Sequence, residues 1–214
     1  MNARRLALVL VMASAALVGG CSRKGQIADG GVYVVRSTCP VVGVVAGTGD
    51  VTTFDPAESR AASAIDVVAT ITTVRNSCTD DGTTITSTAT FNVLANRRDA
   101  GAARQVVLPY YNVVMQGGSS VVAKQVSAVG LDFAAGSQRA QTSGRAVVRV
   151  SKAAATLPAD IQKLLTKPRK AGDADAAIDP LTVPTTRAAV ARASFEHLVG
   201  FQLTAEQLRF NATR

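Results

Sequence analysis

The sharpest pattern lies in the middle of the chain. Ile65, Val67, Ala69 and Ile71 alternate with mostly polar neighbours. Thr79-Asp80-Asp81-Gly82 follows shortly after. Beyond it, Ile85, Ala89, Phe91 and Val93 alternate against Thr84, Thr86, Thr88, Thr90 and Asn92. Period-two alternation on both sides of an Asp-Gly turn predicts a hairpin with one buried face and one threonine-rich solvent face.

Weaker patterns flank it. Valine-rich runs at 32–35 and 41–45 are broken by Cys39-Pro40, which predicts an edge strand or a broken one. Residues 46–60 carry Gly, Thr, Asp and Pro56 and read as a loop. A strand is expected over 105–115, with Pro109 marking an edge or a bulge. The next covers 121–133, with Val121, Ala123, Val129, Leu131 and Phe133 on one face. Residues 136–144 read as loop. A strand over 145–151 turns Ala146, Val148 and Val150 inward and Arg145 and Arg149 outward. Strands at this rhythm, joined by tight turns, predict an antiparallel two-sheet sandwich of immunoglobulin-like type.

The pattern changes after Lys152. Pro158 suits the first turn of a short helix over 159–166. Residues 167–184 are polar and proline-containing and read as a long exposed loop. Residues 187–203 fit two periods. As a strand, Ala189, Ala191, Ala193, Phe195, His197, Val199, Phe201 and Leu203 share a face. As a helix, Val190, Ala191, Ser194, Phe195 and Leu198 do. The aromatic alternation and Gly200 favour the strand. A helix over 205–211 should close the chain, with Thr204 and Gln207 as a capping box and Leu203 placed to staple against Leu208.

The N-terminus is of another kind. Arg4 and Arg5 precede an apolar run of about 15 residues, below the roughly 20 that a spanning helix needs. Small residues and Cys21 follow, the pattern of a secretory signal. The segment Val18-Gly19-Gly20-Cys21 resembles the lipobox of bacterial lipoprotein precursors, with Val where Leu is usual and Gly in the second place. The resemblance covers residues 1–21 only. It implies cleavage before Cys21 and acylation of that residue, palmitate among the chains. It also implies a signal peptide at 1–20. By their own composition and strand pattern, residues 21–30 read as a tether and 31–214 as one sandwich domain with a long loop at 167–184. Ser22, where an Asp tends to retain such proteins at the inner membrane, favours the periplasmic face of the outer membrane. Two or more acyl chains make a stable anchor, at about 0.8 kcal/mol per buried methylene. Arg23 and Lys24 would then lie at the headgroups of that membrane.

Composition adds to this picture in three ways. Loss of residues 1–20 would leave 194 of the 214 residues and lower the formal charge from +8 to +6. That length supports one sizeable core, and with 4% aromatic residues and no Trp it must be built from Val, Ala, Ile and Leu. The basic balance suits anionic partners, among them lipid headgroups and wall polymers; an exported chain makes nucleic acid an unexpected one. Cys39 and Cys78 remain beside Cys21, and an even pair in an exported chain predicts a disulfide.

Catalytic motifs are hard to find. A serine hydrolase needs a base, and the only His is His197. Ser194 and Glu196 lie near it in sequence, but on a strand Glu196 points away from His197, and no Gly-x-Ser-x-Gly is present. A core histidine is the expectation. Asp173, Asp175 and Asp179 lack the Gly and Glu of a calcium loop. Gly47-Thr48-Gly49 has Thr52 where a dinucleotide loop has its third Gly. Asn211-Ala212-Thr213 matches a glycosylation sequon without meaning in a bacterial lipoprotein. Tyr110 and Tyr111 are adjacent in a strand, so one ring faces out, where basic neighbours would suit polymer or protein contact, although an amphipathic core tyrosine is the expectation. No cofactor or metal is expected. The sequence thus predicts a lipid-anchored envelope protein that works by binding or assembly. An envelope protein or an anionic wall polymer is the partner expected. The alternatives are an envelope hydrolase and a carrier of lipid or another hydrophobic ligand.

Overall fold

The computed structural model describes residues 37–168, 172 and 178–213. Residues 37–167 and 178–213 belong to one compact unit. Its chain makes two four-stranded sheets packed face to face, a β-sandwich. The first has the order β1 (Val41–Val44), β8 (Phe195–Phe201), β5 (Arg104–Gln116), β6 (Ser120–Phe133). The second has the order β2 (Asp50–Phe54), β3 (Ile65–Asp80), β4 (Thr84–Arg97), β7 (Arg139–Ser151). The β1–β8 pair is parallel and the other pairs are antiparallel.

The alternating residues of β3 and β4 form the predicted hairpin, closed at Asp81 and Gly82. Val67, Ala69, Phe91 and Val93 face the core from one sheet; Leu108, Tyr110, Leu131, Phe133, Val199 and Phe201 face it from the other. The sheets are tied by more than apolar contact. Phe91 meets Tyr110 edge-on at 5.2 Å, and the Tyr110 hydroxyl donates to the Arg145 carbonyl at 2.8 Å.

Several elements differ from the sequence expectation. Residues 46–60 contain the five-residue edge strand β2, paired to β3. Residues 139–144, expected as loop, are the first half of β7 and pair with residues 91–96. Residues 187–203 are both helix and strand: α3 (Pro184–Arg192) ends before β8 begins. The loop expected up to residue 184 holds a 3-10 turn at Pro180–Thr182. Val121 and Ala123 are exposed, while Val129, Leu131 and Phe133 are buried as expected. Pro109 lies in an interior strand of its sheet, yet just beyond the last β8 partner of β5, at Tyr110. Its carbonyl accepts from Gln202 N–H on that side, so the N–H that proline lacks is missing where β8 has ended and not from the β6 ladder.

Short helices finish the unit. They are α1 (Lys152–Ala155), α2 (Ala159–Thr166), which Pro158 precedes at the N-cap, and α4 (Ala205–Thr213). Thr204 and Gln207 form the reciprocal capping box that starts α4, at 3.2 and 2.9 Å. Leu203 packs on the core, whereas Leu208 is largely exposed. Phe210 of α4 meets Phe54 of β2 edge-on at 5.2 Å.

Candidate functional site

The chemistry that sequence reasoning sought gathers around one irregularity. In β3, Thr72 pairs with Asn92 but Arg75 pairs with Thr90, so Thr73 and Val74 both lie opposite Phe91. This is a β-bulge, and Thr73 takes a positive φ of 53° there. The extra residue changes which side chains point inward. Before it the inward positions are odd, ending at Ile71; after it they are even, and Asn76 and Cys78 lie across from buried Ala89 and Ser87. Cys78 thereby reaches Cys39, and the expected disulfide is present. It packs against a second apolar cluster built on Ile85, Val114, Val148 and Phe195.

Beside the disulfide a polar chain runs from exposed Asn76 to buried Ser87 and His197. The Asn76 amide donates to the Pro40 carbonyl at 3.1 Å, which turns Asn76 Oδ1 toward the Ser87 hydroxyl. Ser87 donates to that oxygen at 3.1 Å. Its own oxygen is 3.1 Å from His197 Nδ1, so Nδ1 carries the hydrogen and Nε2 the lone pair. Nε2 is buried with no hydrogen-bond partner among the described residues. Burial pushes the imidazole down to about 4, and His197 is neutral at physiological pH.

This is a serine–histidine pair without hydrolase chemistry. A nucleophilic Ser must give its proton to the imidazole, whereas Ser87 gives it to Asn76. Ser87 and His197 are both 0% exposed, so no substrate meets them. Sequence reasoning expected His197 in the core, and it is there; Ser87 was missed. Its odd position in the β4 alternation was the available signal. Ser194 donates instead to the Val190 carbonyl, and Glu196 is half-buried on the opposite face of β8.

The remaining candidates separate. Tyr110 is the inward ring and Tyr111 the outward one, with Lys124 Nζ 5.1 Å from its centroid. The Tyr111 hydroxyl meets Thr48 Oγ1 at 3.0 Å over Gly200, where a Cβ would stand 2.2 Å from that oxygen. Gly47-Thr48-Gly49 is the turn that delivers Thr48 to this contact, and β2 follows it. Asp80 is held below the usual carboxylate range, first by its hydrogen bond to Lys152 and then by Gly82 N–H. Asp81 is held low by the N–H groups of Thr83 and Thr84. Both serve the hairpin turn. Asp179 caps the 3-10 turn through Leu181 N–H, and Asn211 donates to the carbonyls of Gly47 and Asp50. Cys21, Arg23, Lys24, Asp173 and Asp175 lie outside the described residues, as do the signal segment 1–20 and the tether 21–30.

Arg97 was not singled out by sequence. It ends β4 on the inward side, 4% exposed, and its guanidinium donates to four backbone carbonyls: Ser137, Ala102, Gly101 and Ala134, at 2.7 to 3.0 Å. It lies 5.3 Å over the Phe133 ring. The role is to clamp two loops at one end of the sandwich.

The other open feature is an edge. Among the described residues β6 pairs with β5 alone, and its first nine residues, Ser120 to Ala128, are all exposed. Val121 is 63% and Val126 53% exposed. Among the described residues no helix is long and apolar enough to cross a membrane. Comparison of the chain with protein-family models, with curated proteins and with solved structures finds no match in any of the three.

Proposed function

We propose that this chain is a lipid-anchored cell-envelope protein, held through acyl chains on Cys21 at the periplasmic face of the outer membrane, and that it works by binding a protein partner. The observation that carries the binding role is the free edge of β6. A sheet edge with exposed apolar side chains is a template for an added strand. Val121, Val122 and Val126 supply the apolar side chains, and Lys124 among them disfavours pairing with a second copy of the same edge. The partner is an extended segment of another envelope protein.

Two features support binding over the alternatives. Ser87 and His197 are sealed from solvent and hydrogen-bonded in the wrong sense for hydrolysis. The space between the sheets is filled by Phe91, Leu131, Phe133 and Phe201, which leaves the lipid-carrier reading without support. The Cys39–Cys78 bond suits an exported protein. The test has two arms in cells. Cys21→Ser should release the protein from membranes; retention would sink the anchor. A photo-crosslinker at Val126 should capture a discrete partner that Val121→Asp with Val122→Asp abolishes; capture unchanged by those substitutions would sink the edge contact.

A further inference from the structure

A second surface is independent of the β6 edge and of Cys21. The outer face of the β3–β4–β7 sheet presents Arg139, Arg145 and Arg149 along the edge strand β7, all exposed. They span ten residue steps, about 33 Å of strand. Arg75 joins them from β3: Thr90 pairs with Arg145 on one side and Arg75 on the other, placing the two arginine backbones about 10 Å apart. Between these bases run the outward hydroxyls of β4, with Thr86 paired to Arg149 and Thr90 to Arg145.

The face gathers its arginines on the two strands that flank β4, with no carboxylate between them. Arg60, Arg98 and Arg104 each pair with a carboxylate, those of Glu206, Asp99 and Asp66. None of Arg75, Arg139, Arg145 and Arg149 makes an ion pair among the described residues. Residues 72–79, 84–96 and 139–151 contain no Asp or Glu. At the Arg139 end the face dips into a depression of about 460 Å³, lined by Leu94, Asn96, Arg139 and Gln141.

The geometry points to a binding track for a linear anionic polysaccharide, lying along β7 with its acid groups on the arginines and its hydroxyls on the β4 threonines. Guanidinium forks match carboxylate and sulfate or phosphate groups in a charge-assisted way. A single-stranded nucleic acid would need aromatic platforms, and no outward position of β4 or β7 is aromatic. A row along one strand suits a linear chain better than the plane of a membrane.

The purified protein should be retained on immobilised polygalacturonate and not on uncharged dextran, with retention falling as salt rises. Arg145→Gln with Arg149→Gln should weaken binding by about tenfold per arginine, with an unchanged melting temperature. The charge-matched pair Lys163→Gln with Arg187→Gln, on exposed helix positions, should leave binding within about twofold of the parent. The proposal is overturned by no retention on polygalacturonate, or by equal weakening in both double variants. Binding to phosphatidylglycerol vesicles without binding to polygalacturonate overturns it in favour of a membrane surface.

Discussion

Phe91 lies over Gly144 across the β4–β7 ladder, so close that a Cβ on Gly144 would stand 2.2 Å from Phe91 Cζ. The ring has no room to retreat, since it is 2% exposed and its edge contact with Tyr110 joins the sheets. Gly144→Ala should therefore destabilise the fold by about 1–3 kcal/mol, the usual cost of overpacking. Urea denaturation measures this. Adding Phe91→Leu to Gly144→Ala should cost less than the sum of the two single changes.

That contact also explains why half of β7 was illegible. Gly and Ser at 143–144 read as loop, but the glycine is there to admit a ring from the neighbouring strand, a long-range fact that no local pattern carries. β2 was missed because its five residues, Asp50–Phe54, are too few to show a period. The hairpin of β3 and β4 was legible because Ile65 to Ile71 and Ile85 to Val93 alternate on either side of an Asp-Gly turn. Ala191 and Phe195 satisfied both periods, so the end of α3 was invisible there. At the candidate site the cysteine pair was legible by count, while Ser87 was hidden by its resemblance to the outward threonines around it.

Acid should weaken the fold through His197. The unfolded chain takes up a proton near the ordinary value of 6.5, and the buried imidazole resists it down to about 4. Between these values the unfolded state binds more protons, so stability falls as pH falls, by up to about 3 kcal/mol, and is flat above the window. Denaturation curves between pH 7 and 4 check the slope. His197→Gln should remove most of it. Asp80 and Asp81, held below 3.8, lose their contribution only at lower pH.

Reduction should cost more than the loss of one contact. Cys39 and Cys78 are separated by 39 residues, and a closed loop of that length stabilises by about 4 kcal/mol in the chain-entropy account. Cys39→Ser with Cys78→Ser should lower the urea midpoint accordingly, and reductant should leave that variant unaffected while it shifts the parent.

Arg97→Lys should destabilise by about 2–4 kcal/mol although it keeps the charge. Lysine has three donors on one atom and cannot reach four carbonyls spread over two loops. Amide exchange should quicken at residues 99–103 and 134–138 before the strands respond.

The bulge at Thr73 and Val74 ties the disulfide to the register of the hairpin. Cys78 meets Cys39 only when β3 carries that one extra residue against β4. A hairpin slipped by one residue, or one from which the bulge is deleted, turns Cys78 to the threonine side and leaves two free thiols. The Cys39–Cys78 bond is thus compatible with one register of the β3–β4 pair, so its presence reports that register.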